Sequence, residues 1–161
     1  MMNIFIYAMQ MEKDGEDFYY QLAQQTPNKG LRTILEMLAT EEAKHYKAIE
    51  EMRSARPELA ETTVLSDAKN VFAQIKESKE SFDFDLGQIE LYKKAQELEQ
   101  KSMGFYSEKA HEVEEEHQKE IFLKLAAEEK KHYFLLENII EYVSRPKMWL
   151  ENAEFCHLDE Y

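Results

Sequence analysis

Two near-identical stretches, LATEEAKHYKAI at 38–49 and LAAEEKKHYFLL at 125–136, each place a glutamate and a histidine three residues apart: Glu42 with His45, and Glu129 with His132. Residues at i and i+3 share one face of a helix, so each doublet can aim a carboxylate and an imidazole at the same point. Two further glutamates, Glu12 and Glu99, each stand 30 positions before Glu42 and Glu129. Four carboxylates and two imidazoles gathered in an apolar interior are very unfavourable if left unpaired. Two divalent cations remove that penalty, because their charge balances four carboxylates and neutral imidazoles complete the ligation. Carboxylate and imidazole donors suit iron or manganese, and zinc can substitute. The chemistry these spacings predict is that of a dinuclear metal centre.

The positions of these residues within the apolar pattern support a shared interior. Steps of four and three from Leu31 pass through Leu35, Leu38, Glu42, His45, Ile49 and Met52. The same walk from Phe122 passes through Leu125, Glu129, His132, Leu136 and Ile139. Both are a/d stripes of the kind that face the core of a helical bundle. Phe5, Ala8, Glu12, Gly15, Tyr19 and Leu22 form a third stripe, and Ala95, Glu99, Ser102 and Tyr106 a fourth. Each of these carries one glutamate. Glu41 and Glu128 fall off the apolar stripe and read as solvated, as does Glu16, which as a turn-mate of Glu12 is the one alternative accessory ligand. Tyr19 and Tyr106, two turns past Glu12 and Glu99, are candidates for packing with a hydroxyl partner or for bonding a ligand carboxylate.

Sparse punctuation defines the elements that must carry these stripes. Thr26-Pro27-Asn28-Lys29-Gly30 is a turn signal, Arg56-Pro57 closes a helical stretch, and Pro146 ends the last one. Helices are predicted near 3–25, 29–54, 86–112 and 116–143. Between the second and third of these, Ser66-Asp67 is read as the cap of a short helix over 68–75. Without a gap, 12–54 aligns on 99–141 with 13 identities in 43 positions, including Glu12/Glu99, Tyr19/Tyr106, Glu42/Glu129 and His45/His132. The chain therefore reads as one helical hairpin written twice, joined by a long crossover at about 55–85, over a domain of 1–145. Glu12 and Glu42 are equidistant from the first turn, and Glu99 and Glu129 from the second. At 1.5 Å per residue both pairs lie about 20 Å from their turns, so all six residues fall in one layer.

Composition narrows the classes. A formal charge of −13 argues against a nucleic-acid partner, which needs clustered Lys and Arg. The single cysteine, Cys156, rules out an intrachain disulfide and any all-cysteine metal site. The first twenty residues lack a basic leader and turn acidic by Glu12, and no apolar run reaches the length of a membrane span, so a cytoplasmic setting without membrane contact is expected. The tail at 146–161 is aromatic for a terminus, and Trp149, Leu150 and Phe155 are expected to dock on the bundle or on a second subunit. His157 and Cys156 are too few to make another metal site.

Glu on two helices with Glu-x-x-His on two others resembles the ligand pattern of the ferritin-like di-iron carboxylate proteins. Within that superfamily, MEKDGEDFYYQLA and LATEEAKHY resemble the first and second helices of the rubrerythrin-like branch, and the likeness extends over about 3–143. The resemblance implies an all-α ferritin-like bundle with two iron ions held by Glu12, Glu42, His45, Glu99, Glu129 and His132. It implies an oxidoreductase that reduces hydrogen peroxide or dioxygen in oxidative-stress defence, reset by an external electron donor, and a homodimer or higher homo-oligomer. Ferroxidase activity feeding iron storage and oxygenation of an organic substrate are the alternatives within the superfamily. Two positions depart from the rubrerythrin pattern. No paired Cys-x-x-Cys of a rubredoxin domain occurs in the sequence, so the donor is expected to be a separate rubredoxin-like protein. Rubrerythrins also tend to carry an extra glutamate one turn after the third-helix ligand, where this chain has Ser102, and the ligand switching linked to that glutamate does not transfer with the resemblance. Gly15 and Ser102 are small and are expected to leave room for a small oxidant beside the metals.

Overall fold

The computed structural model describes residues 3–52, 62–78 and 86–144. Five helices follow one another, with no strand among the described residues: α1 (Ile4–Gln25), α2 (Lys29–Met52), α3 (Val64–Ser78), α4 (Leu86–Glu112) and α5 (Glu116–Ser144). The protein is an all-α bundle whose four long helices match the four expected spans closely. The sequence reading of the tail beyond residue 144, including Trp149, Leu150, Phe155, Cys156 and His157, falls outside the described residues.

Local chemistry sets the helix ends. Asn3 caps α1, its Oδ1 accepting from the backbone N–H groups of Phe5 at 3.0 Å and Ile6 at 3.3 Å. Pro27 forces the chain out of the first helix, and Asn28 Oδ1 then accepts from Leu31 N–H at 3.0 Å to start the second. Arg32 holds this turn by donating to the Thr26 carbonyl at 3.2 Å from both Nε and a terminal nitrogen. At the other hairpin, Glu115 Oε2 accepts from Gln118 N–H at 3.1 Å and caps α5. The crossover helix starts earlier than Ser66-Asp67 suggested. Thr62 Oγ1 accepts from Val64 N–H at 3.2 Å, and Thr63 Oγ1 donates to Asp67 Oδ2 at 2.8 Å. Thr62 supplies the capping oxygen, Thr63 ties the side chain of Asp67 to the helix start, and Asp67 sits within the first turn as its acidic residue, where the helix dipole favours it.

Helix α1 packs along α2, and α4 along α5, while α1 also meets α4, α2 meets α5, and α3 lies on α2 and α5. The apolar interior falls into two clusters. One, nearer the first turn, gathers Leu22, Leu31, Leu35, Tyr92, Leu135 and Tyr142 among others; the second gathers Ala8, Ile49, Tyr106, Phe122 and Leu125. Between them lies a layer of buried Glu12, Glu42, His45, Glu99, Glu129 and His132. Each apolar cluster closes one end of that layer and keeps bulk water from its charges.

Candidate metal centre

Each bundle helix delivers its polar residue at the height set by its distance from the turn. Glu12 comes from α1, Glu42 and His45 from α2, Glu99 from α4, and Glu129 and His132 from α5. All six are at most 4% exposed. Their donor atoms form two groups compact enough to hold a metal ion: Glu12, Glu42, His45 and Glu129, and Glu42, Glu99, Glu129 and His132. Glu42 and Glu129 belong to both. Glu12 and Glu99 each belong to one, paired with the histidine of the opposite member of the hairpin.

Both histidines turn Nδ1 inward. His45 Nδ1 lies 2.9 Å from Glu129 Oε1 and 3.4 Å from Glu12 Oε2. His132 Nδ1 lies 3.3 Å from Glu42 Oε1 and 3.5 Å from Glu99 Oε1. The two imidazoles are nearly parallel, 9° apart, with centroids separated by 5.7 Å. The tyrosines cross between hairpins: Tyr19 on α1 donates to Glu99 Oε1, and Tyr106 on α4 donates to Glu12 Oε1. Each outer carboxylate thus has one oxygen held by a tyrosine. Its second oxygen, Glu12 Oε2 or Glu99 Oε2, is buried without a hydrogen bond. An orphaned carboxylate oxygen at the centre of such a cluster is the donor a cation requires, so the residues present fit a pair of divalent metal ions.

The electrostatics agree. Burial pushes Glu42 well above the usual carboxylate range, and the charges of Glu12, Glu129 and Glu99 add to it. Burial does the same to Glu129, reinforced by Glu99 and Glu12. For Glu12, burial works upward, but hydrogen bonding with Glu42 and the charge of His45 bring its carboxyl below the usual range. Glu99 is held at about 2 against the same burial, by hydrogen bonding with Glu129 and by His132. Burial opposes a charge on His45, yet Glu12 and the other carboxylates raise its pKa well above the ordinary value. Protons on the two shared glutamates therefore occupy the role that cations can take over.

Other residues singled out in the sequence fall into distinct places. Ser102 and Gly15 line a cavity of about 100 Å³ between α1 and α4, together with Tyr19, Glu42, Glu99 and Glu129. A Cβ placed on Gly15 would meet the Glu42 carboxyl at 3.4 Å, so this glycine lies directly against a candidate ligand. Glu16 pairs with Lys13 at 3.2 Å on the outside of α1 and belongs to neither metal-sized group. Glu41 and Glu128 are not solvated: they are 7% and 3% exposed, and Glu128 Oε2 lies 3.0 Å from His45 Nε2. They lie in the contact between α2 and α5, which buries residues on both sides of the main stripe. The signal was present in the repeat, where the Glu-Glu doublet recurs with its first member four residues before each histidine.

Removing one crossed hydroxyl isolates its contribution. Tyr106→Phe leaves the buried Glu12 oxygen without its donor and is expected to lower stability by about 1–3 kcal/mol. Tyr19→Phe is expected to do the same through Glu99. Urea unfolding of the metal-free variants measures both, and a loss below a few tenths of a kcal/mol contradicts the hydroxyls' role.

A helical bundle with paired Glu-x-x-His motifs and two outer glutamates defines a ferritin-like carboxylate protein with the donor set of a di-metal site. More narrowly, the chain matches the rubrerythrin family over residues 3–140, and it belongs to that family. No curated protein and no solved structure matches it.

Proposed function

We propose that the protein is a di-iron oxidoreductase that reduces hydrogen peroxide or dioxygen, with Glu12, Glu42, His45, Glu99, Glu129 and His132 as ligands. Glu42 and Glu129, common to both donor groups, would serve both metal positions, and Glu12 with His45 and Glu99 with His132 would complete them. The observation that carries this reading is the cavity of about 100 Å³ that reaches the shared carboxylates Glu42 and Glu129. It has room for dioxygen or hydrogen peroxide and is small for an organic substrate. Manganese or zinc can take the same donors in place of iron.

When bound, the irons supply electrons and Lewis acidity. The rest is the work of the chain. Tyr19 and Tyr106 orient the outer carboxylates, and the two apolar clusters exclude bulk water. Reducing peroxide to two waters consumes two electrons and two protons. Tyr19 lines the cavity, and burial together with the charge of Glu99 keeps its hydroxyl proton in place well above the ordinary tyrosine pKa. Its one O–H goes to Glu99 Oε1, so Tyr19 fixes that carboxylate beside the oxidant and leaves a hydroxyl oxygen facing the cavity wall as an acceptor. Electrons return from an external donor such as a rubredoxin-like protein, and a cytoplasmic homodimer or higher homo-oligomer fits the role. No helix among the described residues is long and apolar enough to cross a membrane.

The test is single-turnover oxidation of the anaerobic Fe(II)-loaded protein, followed by absorption after mixing with peroxide or with oxygen. Rapid oxidation is expected with at least one oxidant, and Glu129→Ala and His132→Ala are expected to abolish it. Unchanged kinetics in those variants removes the proposal.

A further inference from the structure

The repeat makes the two halves of the centre look equivalent, and the ligand atoms obey that symmetry. The atoms behind them do not. Glu128 Oε2 lies 3.0 Å from His45 Nε2 across the α2–α5 contact. The counterpart by the repeat would be Glu41 on His132. Glu41 instead lies 3.6 Å from Lys44, and its carboxylate joins the group around His45 and Glu128. His132 Nε2 is left buried with no hydrogen-bond partner.

We propose that Glu128 is a positioning residue that makes the two metal positions inequivalent, so that the position of Glu12, Glu42, His45 and Glu129 fills first and more tightly. A neutral imidazole carries one N–H, and a ligating Nδ1 must offer its lone pair, which puts the proton on Nε2. At His45 that N–H meets a carboxylate. The acceptor fixes the ligating tautomer and ring orientation and makes Nδ1 a stronger donor. At His132 the same tautomer buries an N–H with nothing to accept it, which is unfavourable. Metal binding must therefore draw His132 into a tautomer its surroundings do not support, while His45 already has the surroundings it needs. Loss of such an outer carboxylate typically weakens metal binding 10–100-fold, and a gap of that order is expected between the two positions.

This inference rests on reading the layer as a di-metal site, and one experiment separates the two. Anaerobic Co(II) titration, followed by visible absorption, is expected to show two steps of one cation each. Zn(II) added to one equivalent, with ¹⁵N-labelled histidine observed by NMR, is expected to shift His45 Nδ1 and leave His132 in place. Glu128→Leu is expected to weaken the first step about 10–100-fold and leave the second unchanged. Glu128→Gln, which keeps an acceptor oxygen, is expected to restore most of the loss. Two cations of equal affinity or His132 shifting first overturns the inequivalence, and a first step indifferent to Glu128→Leu overturns the role of Glu128; each of these leaves the di-metal site standing. No uptake of either cation overturns both.

Discussion

Freed of metal, the protein is expected to melt at steadily lower temperature as pH rises from about 5 to 8, and metal is expected to reverse that trend. The sign follows from which groups hold protons. Glu42 and Glu129 titrate well above the ordinary carboxylate value of 4.5 when folded. Their contribution is fully present below that value and is lost as pH rises through the folded pKa values, because the folded state then binds more protons than the unfolded chain. His45, raised above its ordinary 6.5, adds loss of the same sign. Glu12 and Glu99, both lowered, act oppositely; their contribution is lost only as pH falls below 4.5, toward about 2 for Glu99. From pH 5 upward the raised groups therefore dominate. Divalent cations displace the protons on Glu42 and Glu129, so their affinity increases with pH. At saturating metal the midpoint at pH 7.5 is expected to rise by on the order of 10 °C. Calorimetry of chelated and metal-loaded protein across this pH range checks both slopes. A metal-free melting temperature that climbs from pH 5 to 8 would contradict the arrangement.

The second large effect separates folding from function. Glu42→Leu together with Glu129→Leu is expected to stabilise the metal-free protein at pH 7.5 by about 1–4 kcal/mol while abolishing metal uptake. These are the carboxyls that burial disfavours most when charged, and leucine is close to them in size. The pairs left behind remain compensated, Glu12 against His45 at 3.4 Å and Glu99 against His132 at 3.5 Å. Each metal position, however, loses two of its four candidate donors. Denaturant unfolding and equilibrium dialysis against Co(II) give the two numbers independently. A destabilised double variant would show that the shared glutamates hold the fold together even without metal.

The bundle was legible because its signals are local and periodic. Asn3, Pro27 and Asn28 act on the nearest turn of backbone, and the seven-residue spacing of Leu31, Leu38, His45 and Met52 states which face is buried. The polar layer was legible for the same reason: Glu12 and Glu42 stand equally far from Pro27, and helical rise is constant. The start of α3 was misplaced because Thr62, Thr63, Ser66 and Asp67 can all cap a helix. Side-chain hydrogen bonds choose among them only once the chain is folded.

Sequence alone determined the all-α class, the doubled hairpin and the six residues of one layer, since spacing along a helix is also spacing in space. Tertiary structure decided what surrounds that layer. Whether Glu41 and Glu128 meet solvent or each other depends on how closely α2 approaches α5, and no periodicity within one helix encodes that distance. The crossed tyrosine bonds are likewise contacts between hairpins. The repeat could state that the halves are alike; only the packing places Glu128 behind His45 and leaves His132 Nε2 alone.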